Sequence, residues 1–396
     1  MPSAPSITSV LGFARPERVR PDGERPGVGR AATIEPQPLD DTTLAMQECE
    51  IRDLAVLDAP EPSLDEAGFA IADLPDRHGL HDTLRAVRRD QRLSPPYAAA
   101  LRRSLGRARV RLRDGTQLLI LHIAAEGLLF RSEGPAGLDV GDGADDEVRH
   151  GGAVNVHADQ DVLGTPLRQL MRGHAPRVLR HDAPDSSNRR SPLVLVNLWL
   201  PLRQVTRPLT LMHSASLDRG RHQCRYGLPT EGILDRTGET AVNDIWAFLH
   251  DEAQEWYFHS ELALGQAYVF DTLSTAHGRC VLPGEDEAAD RHRRLTAAEA
   301  AIGAGDRAAL RAAAAGRGTS EVPTASLQGA IATMDALLDE AASQAEHLTS
   351  GRAHDWLSRS EAARAAVVRS SIELRALAIR LPAPARRWRS RSNRRM

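Results

Sequence analysis

The chain has 396 residues, 41% of them hydrophobic and 26% charged, enough to bury the core of one large domain or two ordinary ones; overall disorder is excluded. A net charge of −3 and a pI near 6.6 leave no global basic field to recruit nucleic acid or an anionic membrane. Lysine is absent and all 50 basic residues are arginine, which excludes P-loop lysine and Schiff-base lysine chemistry.

No stretch approaches the roughly 18 consecutive apolar residues of a membrane span. Cys49, Cys224 and Cys280 lie far apart and form no CxxC, so neither a disulfide framework nor a zinc knuckle is expected. A reducing cytoplasm is the default location.

Residues 1 to 45 carry Pro, Gly and Arg without periodicity and read as a disordered arm. Helical patterns follow in DTLRAVRRDQRL and PYAAALRRSL. The segment from Ala108 to Pro135 reads as strands joined at Asp114-Gly115, a favoured hairpin dipeptide. A polar loop then leads into AVNVHADQD, whose strand alternation puts Asn155, His157 and Asp159 on one face.

The run SPLVLVNLWLPL reads as a strand buried on both faces and ended by Pro201. Strands are also expected at EWYFHSEL and GQAYVFDTL, which makes residues 46–282 an antiparallel sandwich or barrel. From 283 to 366 the chain turns alanine-rich with helical period. Thr296 stands three before Glu299, a capping-box spacing, and Leu327, Ile331, Met334 and Leu338 mark one apolar face. Period two returns over residues 367–381, where Arg369, Ser371, Glu373 and Arg375 make an unusually polar strand face. The closing residues 382–396 form a basic tail, read as solvated; no nucleic-acid partner is expected.

Two neutral imidazoles and one carboxylate on one face of a metal, with positions left open, are what a non-haem Fe(II) oxygenase needs. His157 and Asp159 offer two such ligands from one strand, and His277 in DTLSTAHGRC offers the third. An HxD pair alone also fits an ordinary strand histidine bonded to its neighbour. Arg369 and Ser371 share a strand face and together can grip one carboxylate, as the distal carboxylate of 2-oxoglutarate requires; an edge-strand surface arginine is the plain alternative.

The order HxD, distal His, then RxS on a late strand resembles the Fe(II)/2-oxoglutarate dioxygenases of the double-stranded β-helix, or jelly-roll, fold. VNLWLPL, HSASLD, EWYFHSEL, DTLSTAHG and RSSIELRALAI resemble the hydroxylase/desaturase subgroup that includes cephamycin-type methoxylation and gibberellin-desaturase-like enzymes. The resemblance covers about residues 108–281 and 366–381. It implies a mainly β jelly-roll core with flanking helices, and His157, Asp159 and His277 as iron ligands. It further implies Arg369 and Ser371 on 2-oxoglutarate, with O₂ as the oxidant. Asn197 and Trp199 match the subgroup's Asn-x-Trp and are expected to line the substrate pocket, with core packing the alternative for Trp199; His259, alternating with Tyr257, fits the pocket or the core. An aspartate at position 159 implies hydroxylation, desaturation or ring formation of a small organic substrate, not halogenation.

One departure from the family stands out. Arg369 follows His277 by 92 positions instead of a short hairpin, so residues 283–366 must be a helical insertion that leaves and rejoins the core. Arg279 and Arg294 are therefore alternative 2-oxoglutarate anchors. A homo-oligomer through the insertion is compatible with this organisation. The competing function is a non-catalytic β-sandwich binding or assembly module that uses the insertion as its docking surface.

Overall fold

The structure is a computed structural model that describes residues 6–20, 32–34, 44–135, 138, 155–159, 192–229, 242–316 and 322–381. In chain order the strands are β1 (Ser6–Phe13), β2 (Val19–Arg20), β3 (Ala32–Ile34), β4 (Ala45–Asp53), β5 (Phe69–Asp73), β6 (Arg109–Leu112), β7 (Gln117–Glu133) and β8 (His157–Ala158). They continue with β9 (Leu193–Arg203), β10 (Leu209–Met212), β11 (Gln223–Pro229), β12 (Val242–Phe248), β13 (Trp256–Phe258), β14 (Gln266–Asp271), β15 (His277–Arg279) and β16 (Arg369–Leu381). Helices α1 (Leu80–Asp90) and α2 (Pro95–Leu105) precede β6, and the short α3 (Arg219–His222) precedes β11. Between β15 and β16 lie α4 (Glu285–Ala304), α5 (Arg307–Ala314), α6 (Ala325–Ser343), α7 (Ala345–Leu348) and α8 (His354–Ala366).

Ten strands form one sheet in the order β1-β4-β13-β10-β15-β8-β12-β11-β3-β2, and six close into a barrel, β14-β5-β6-β7-β16-β9. The large sheet curls, because Gly12 of edge strand β1 bridges Asn155 just before β8. Alternation on the barrel strands separates two environments. Val194, Val196, Leu198 and Leu200 of β9 and Ile372, Leu374, Ala376 and Ala378 of β16 pack with Leu80, Leu84 and Val87 of α1 and Leu101 and Leu105 of α2. Burying each large aliphatic side chain contributes roughly 1.5–3 kcal/mol. The other face of β9 turns Asn197 and Trp199 toward the ten-stranded sheet, where Trp199 meets Leu209 and Leu211 of β10.

The helical residues between β15 and β16 bury the expected stripe: Leu327, Met334 and Leu338 are within the core and Ile331 packs at its margin. Both ends of the block dock on the turn between β9 and β10. The Arg207 N–H donates to Glu285 at 2.7 Å, and the Thr206 hydroxyl donates to the Val367 carbonyl at 2.7 Å. The chain thus leaves the sheet and returns at neighbouring points, as a long insertion needs.

Three expectations are corrected. The stretch read as an arm contains β1, which pairs with β4 from Ser6↔Arg52 to Phe13↔Ala45; Leu11 and Phe13 are buried and Ser9 Oγ donates to the Val281 carbonyl at 2.7 Å. Pro- and Gly-rich neighbours concealed that pattern. β9 continues through Pro201 to Arg203, because the ladder to β14 ends at Trp199 and a register shift against β16 falls beside Pro201, where a missing N–H is tolerated. Thr296 caps no helix. It lies inside α4 with its hydroxyl on the His292 carbonyl at 3.0 Å, while the helix begins after Gly284 with Glu285, Asp286 and Glu287 in its first turn. The basic tail, 382–396, lies outside the described residues, as does most of the loop before β8.

Candidate metal centre

His157 on β8 and His277 on β15 are direct cross-strand partners, which brings their rings to a centroid distance of 4.4 Å. Asp159 follows two residues after His157 on the same side. The three ligand atoms lie within 4.8 Å of one another, and all three residues are buried. Asp159 Oδ1 is 3.7 Å from His157 Nε2, and Oδ2 is 3.6 Å from His277 Nε2.

Backbone carbonyls orient both rings. His157 Nδ1 lies 2.9 Å from the Asn155 carbonyl and His277 Nδ1 lies 3.0 Å from that of Thr275. Each contact requires the proton on Nδ1, so both Nε2 lone pairs point at the centre. Thr275 is itself anchored, its hydroxyl donating to the Gly68 carbonyl at 2.7 Å. Gly68 has φ +79°, and a Cβ there would lie 2.1 Å from Ser214 Oγ and 2.8 Å from Thr275 Oγ1, so only glycine lets these loops meet.

The facing barrel strands hold the carboxylate. Arg375 of β16 donates to Asp159 Oδ1 at 2.8 Å, and Asn197 of β9 donates to Oδ2. Arg375 and Asn197 are themselves cross-strand neighbours, and the Thr272 hydroxyl bonds Asn197 Oδ1 at 3.3 Å. Burial opposes ionisation of Asp159, but Arg375 and the two imidazoles hold its carboxyl well below the usual range. Burial, reinforced by His157, lowers the His277 imidazole to about 4, so it stays neutral and available as a ligand. Two imidazoles oriented by their Nδ1 contacts and one ionised carboxylate, three donors within 4.8 Å, suit a divalent iron.

Arg369 begins β16 opposite Glu133, the last residue of β7. It is 2% exposed, stacks over the Trp199 ring at 5.5 Å and reaches Ser371 Oγ with Nη2 at 3.4 Å. Its Nη1 is 3.7 Å from Glu133, yet neither Nε nor Nη1 has a hydrogen-bond partner. Burial lowers its pKa to about 10 despite Glu133 and Glu373 nearby. Between Arg369 and Arg375 on the same strand face, Glu373 accepts from Arg131 Nε at 2.6 Å.

The other sequence candidates separate. Arg279 Nη1 lies 3.2 Å from Glu133, inside the same charge cluster as Arg369. Arg294 is remote in role: its guanidinium donates to the Ala313 and Ala314 carbonyls at 3.0 and 2.9 Å, closing the end of α5. His259 is buried in a turn, its Nδ1 accepting the Glu261 N–H at 3.1 Å, with no contact to the triad among the described residues. Asn197, expected as pocket lining, donates to Asp159, and Trp199 lies under the Arg369 guanidinium. Sequence reasoning missed Arg375 as the partner of Asp159, and Arg131, Glu133, Arg207 and Glu285 altogether. Only the polar alternation of β16 signalled Arg375 in advance.

Among curated proteins, no sequence relative matches the chain. Among solved structures, an iron and alpha-ketoglutarate-dependent endoperoxidase, NvfI, is similar at TM-score 0.43 and 14% identity, over 94% of this chain and 98% of that one. A structure of NvfI in a different conformation is similar at TM-score 0.44, 14% identity and the same coverage. Residues 13–282, more than half of the chain, match the family described as an oxidoreductase/YMDC permease-like domain, and the chain belongs to that family.

Proposed function

We propose that the chain is an Fe(II)- and 2-oxoglutarate-dependent oxygenase on a jelly-roll core, hydroxylating or desaturating a small organic substrate in the cytoplasm. His157, Asp159 and His277 would hold the iron, and Arg369 with Ser371 the distal carboxylate of 2-oxoglutarate. The observation that supports this best is the convergence of two oriented Nε2 atoms and one ionised carboxylate within 4.8 Å. Beside it, on β16, stands a buried guanidinium with two nitrogens unmatched by any acceptor. Burying such donors unpaired costs about 1–3 kcal/mol each, a cost that an anionic ligand removes.

Bound iron supplies the activation of O₂ that accompanies conversion of 2-oxoglutarate to succinate and CO₂. The chain supplies orientation and charge. The Asn155 and Thr275 carbonyls keep the Nδ1 protons away from the metal side, and Arg375 and Asn197 keep Asp159 ionised and aimed. Phe270, 4.7 Å from His277 between ring centroids, and Trp199, fully buried, help exclude water.

Equilibrium dialysis against Fe(II) under nitrogen tests the ligand assignment. Wild-type protein is expected to bind one ion per chain, and Asp159→Ala none at the same concentration. Folded wild-type protein that binds no iron would leave the binding-module alternative standing.

A further inference from the structure

The helical block begins with a buried acid whose contacts lead, by way of Arg207 and Glu133, to the proposed carboxylate anchor. Glu285, the first residue of α4, has 0% exposure. Its Oε1 accepts the N–H groups of Leu282 at 2.9 Å and of Arg207 at 2.7 Å, and its Oε2 lies 3.2 Å from Arg207 Nε. Arg207 has φ +49°, a left-handed conformation that costs a non-glycine residue on the order of 1 kcal/mol or more. Its two contacts with Glu285, backbone and guanidinium, hold it there.

The same guanidinium lies 3.8 Å from Glu133 Oε1. Glu133 also lies 3.2 Å from Arg279 and 3.7 Å from Arg369. Glu133 is therefore shared by Arg207, Arg279 and Arg369, with Arg131 in its field as well, and Arg207 faces both Glu285 and Glu133.

We propose that Glu285 is a positioning residue for the anion anchor: by engaging Arg207 it leaves part of Glu133 to Arg369, and so restrains the grip of Arg369 on a carboxylate. The inference rests on Arg369 being the co-substrate anchor. Without the Glu285 charge, Arg207 turns fully onto Glu133, and Arg369 keeps more uncompensated positive charge. In a buried cluster, loss of one negative charge strengthens the binding of a dianion. Restraint has a chemical use, since succinate carries the same distal carboxylate and must leave after each turnover.

Glu285→Gln tests this, because the amide oxygen still accepts both N–H groups while the charge is gone. The experiment is calorimetric titration of Mn(II)-loaded, full-length protein with 2-oxoglutarate, succinate and pyruvate. Glu285→Gln is expected to bind 2-oxoglutarate and succinate about 3–10-fold more tightly than wild type, with pyruvate, which lacks the distal carboxylate, unchanged. Arg207→Gln, which returns Glu133 to Arg369, is expected to bind the two dicarboxylates more weakly. Opposite signs from two neighbouring substitutions are not produced by structural damage. Should Glu285→Gln fail to fold, the Arg207→Gln result decides alone, and unchanged or tighter dicarboxylate binding overturns the proposal. Unchanged or weaker binding in folded Glu285→Gln also overturns it. Arg369→Gln separates the two ideas: if it leaves 2-oxoglutarate affinity intact, the anchor assignment itself fails.

Discussion

Arg369 on β16 and Arg291 on α4 are equally buried, each 2% exposed, yet their surroundings differ in kind. Arg291 lies among three carboxylates: Glu287, Asp290 at 3.2 Å and Asp335 at 3.0 Å. Burial works against its charge, but those partners more than offset it and the pKa is raised. Arg369 has Glu133 at 3.7 Å, an aromatic face and two unmatched nitrogens, and burial lowers its pKa to about 10. A buried charge with a complete set of partners is architecture; an incomplete set at equal depth marks a place for a ligand. Arg291 is closed in this sense, and Arg369 is open.

The largest effect expected from breaking the open region is at Asp159. Asp159→Ala removes the one anionic donor and is expected to weaken Fe(II) binding by more than about 100-fold, read by equilibrium dialysis. Next, Arg369→Gln is expected to weaken 2-oxoglutarate about 10–100-fold at unchanged metal affinity, since charge-assisted hydrogen bonds contribute roughly 1.5–3 kcal/mol. Arg291→Gln, its counterpart, is expected to leave 2-oxoglutarate affinity alone and cost about 1–2 kcal/mol in a urea titration, because its carboxylate partners are only partly buried and water takes over much of their solvation. Equal effects of the two on 2-oxoglutarate would erase the distinction.

Of smaller size is the effect of Arg375→Gln or Asn197→Ala, expected to weaken metal binding about 10-fold by loosening Asp159, with the metal's visible spectrum shifted in a Co(II)-loaded sample. Smallest is a pH effect confined to the helical block. Burial, with Arg364 and Arg293 nearby, lowers His292 from 6.5 to about 4. The unfolded chain then takes up a proton near pH 6.5 that the folded chain refuses until about pH 4, so stability falls as pH falls through that window. His292→Gln is expected to flatten that slope in thermal melts while metal binding is unaffected.

The parts of the site legible in the sequence are those built from strand alternation. His157 with Asp159, and Arg369 with Ser371 and Arg375, are spaced by even numbers of residues, and pleating alone puts them on one face. Partnership across the fold was illegible: Arg375 meets Asp159 over 216 positions, and nothing in either stretch announces the other. Asn197, the one polar residue from Leu193 to Leu202, signalled importance without saying that its partner is Asp159. Helix periodicity in the insertion was plain, but a Thr-x-x-Glu spacing matches inside a helix as readily as at its start; Gly284 and three acidic residues were the stronger signal. β1 was lost because eight alternating residues were averaged with Pro- and Gly-rich neighbours.

Iron on His157, Asp159 and His277 and 2-oxoglutarate on Arg369 are expected to bind together. The most direct measurement is an anaerobic titration of metal-free protein with Fe(II) and 2-oxoglutarate, followed in the visible range for the charge-transfer band of an iron-bound keto acid. A saturable band that requires both components, and that is absent in Asp159→Ala, is the predicted result. Folded wild-type protein that shows no band at millimolar 2-oxoglutarate would contradict the account.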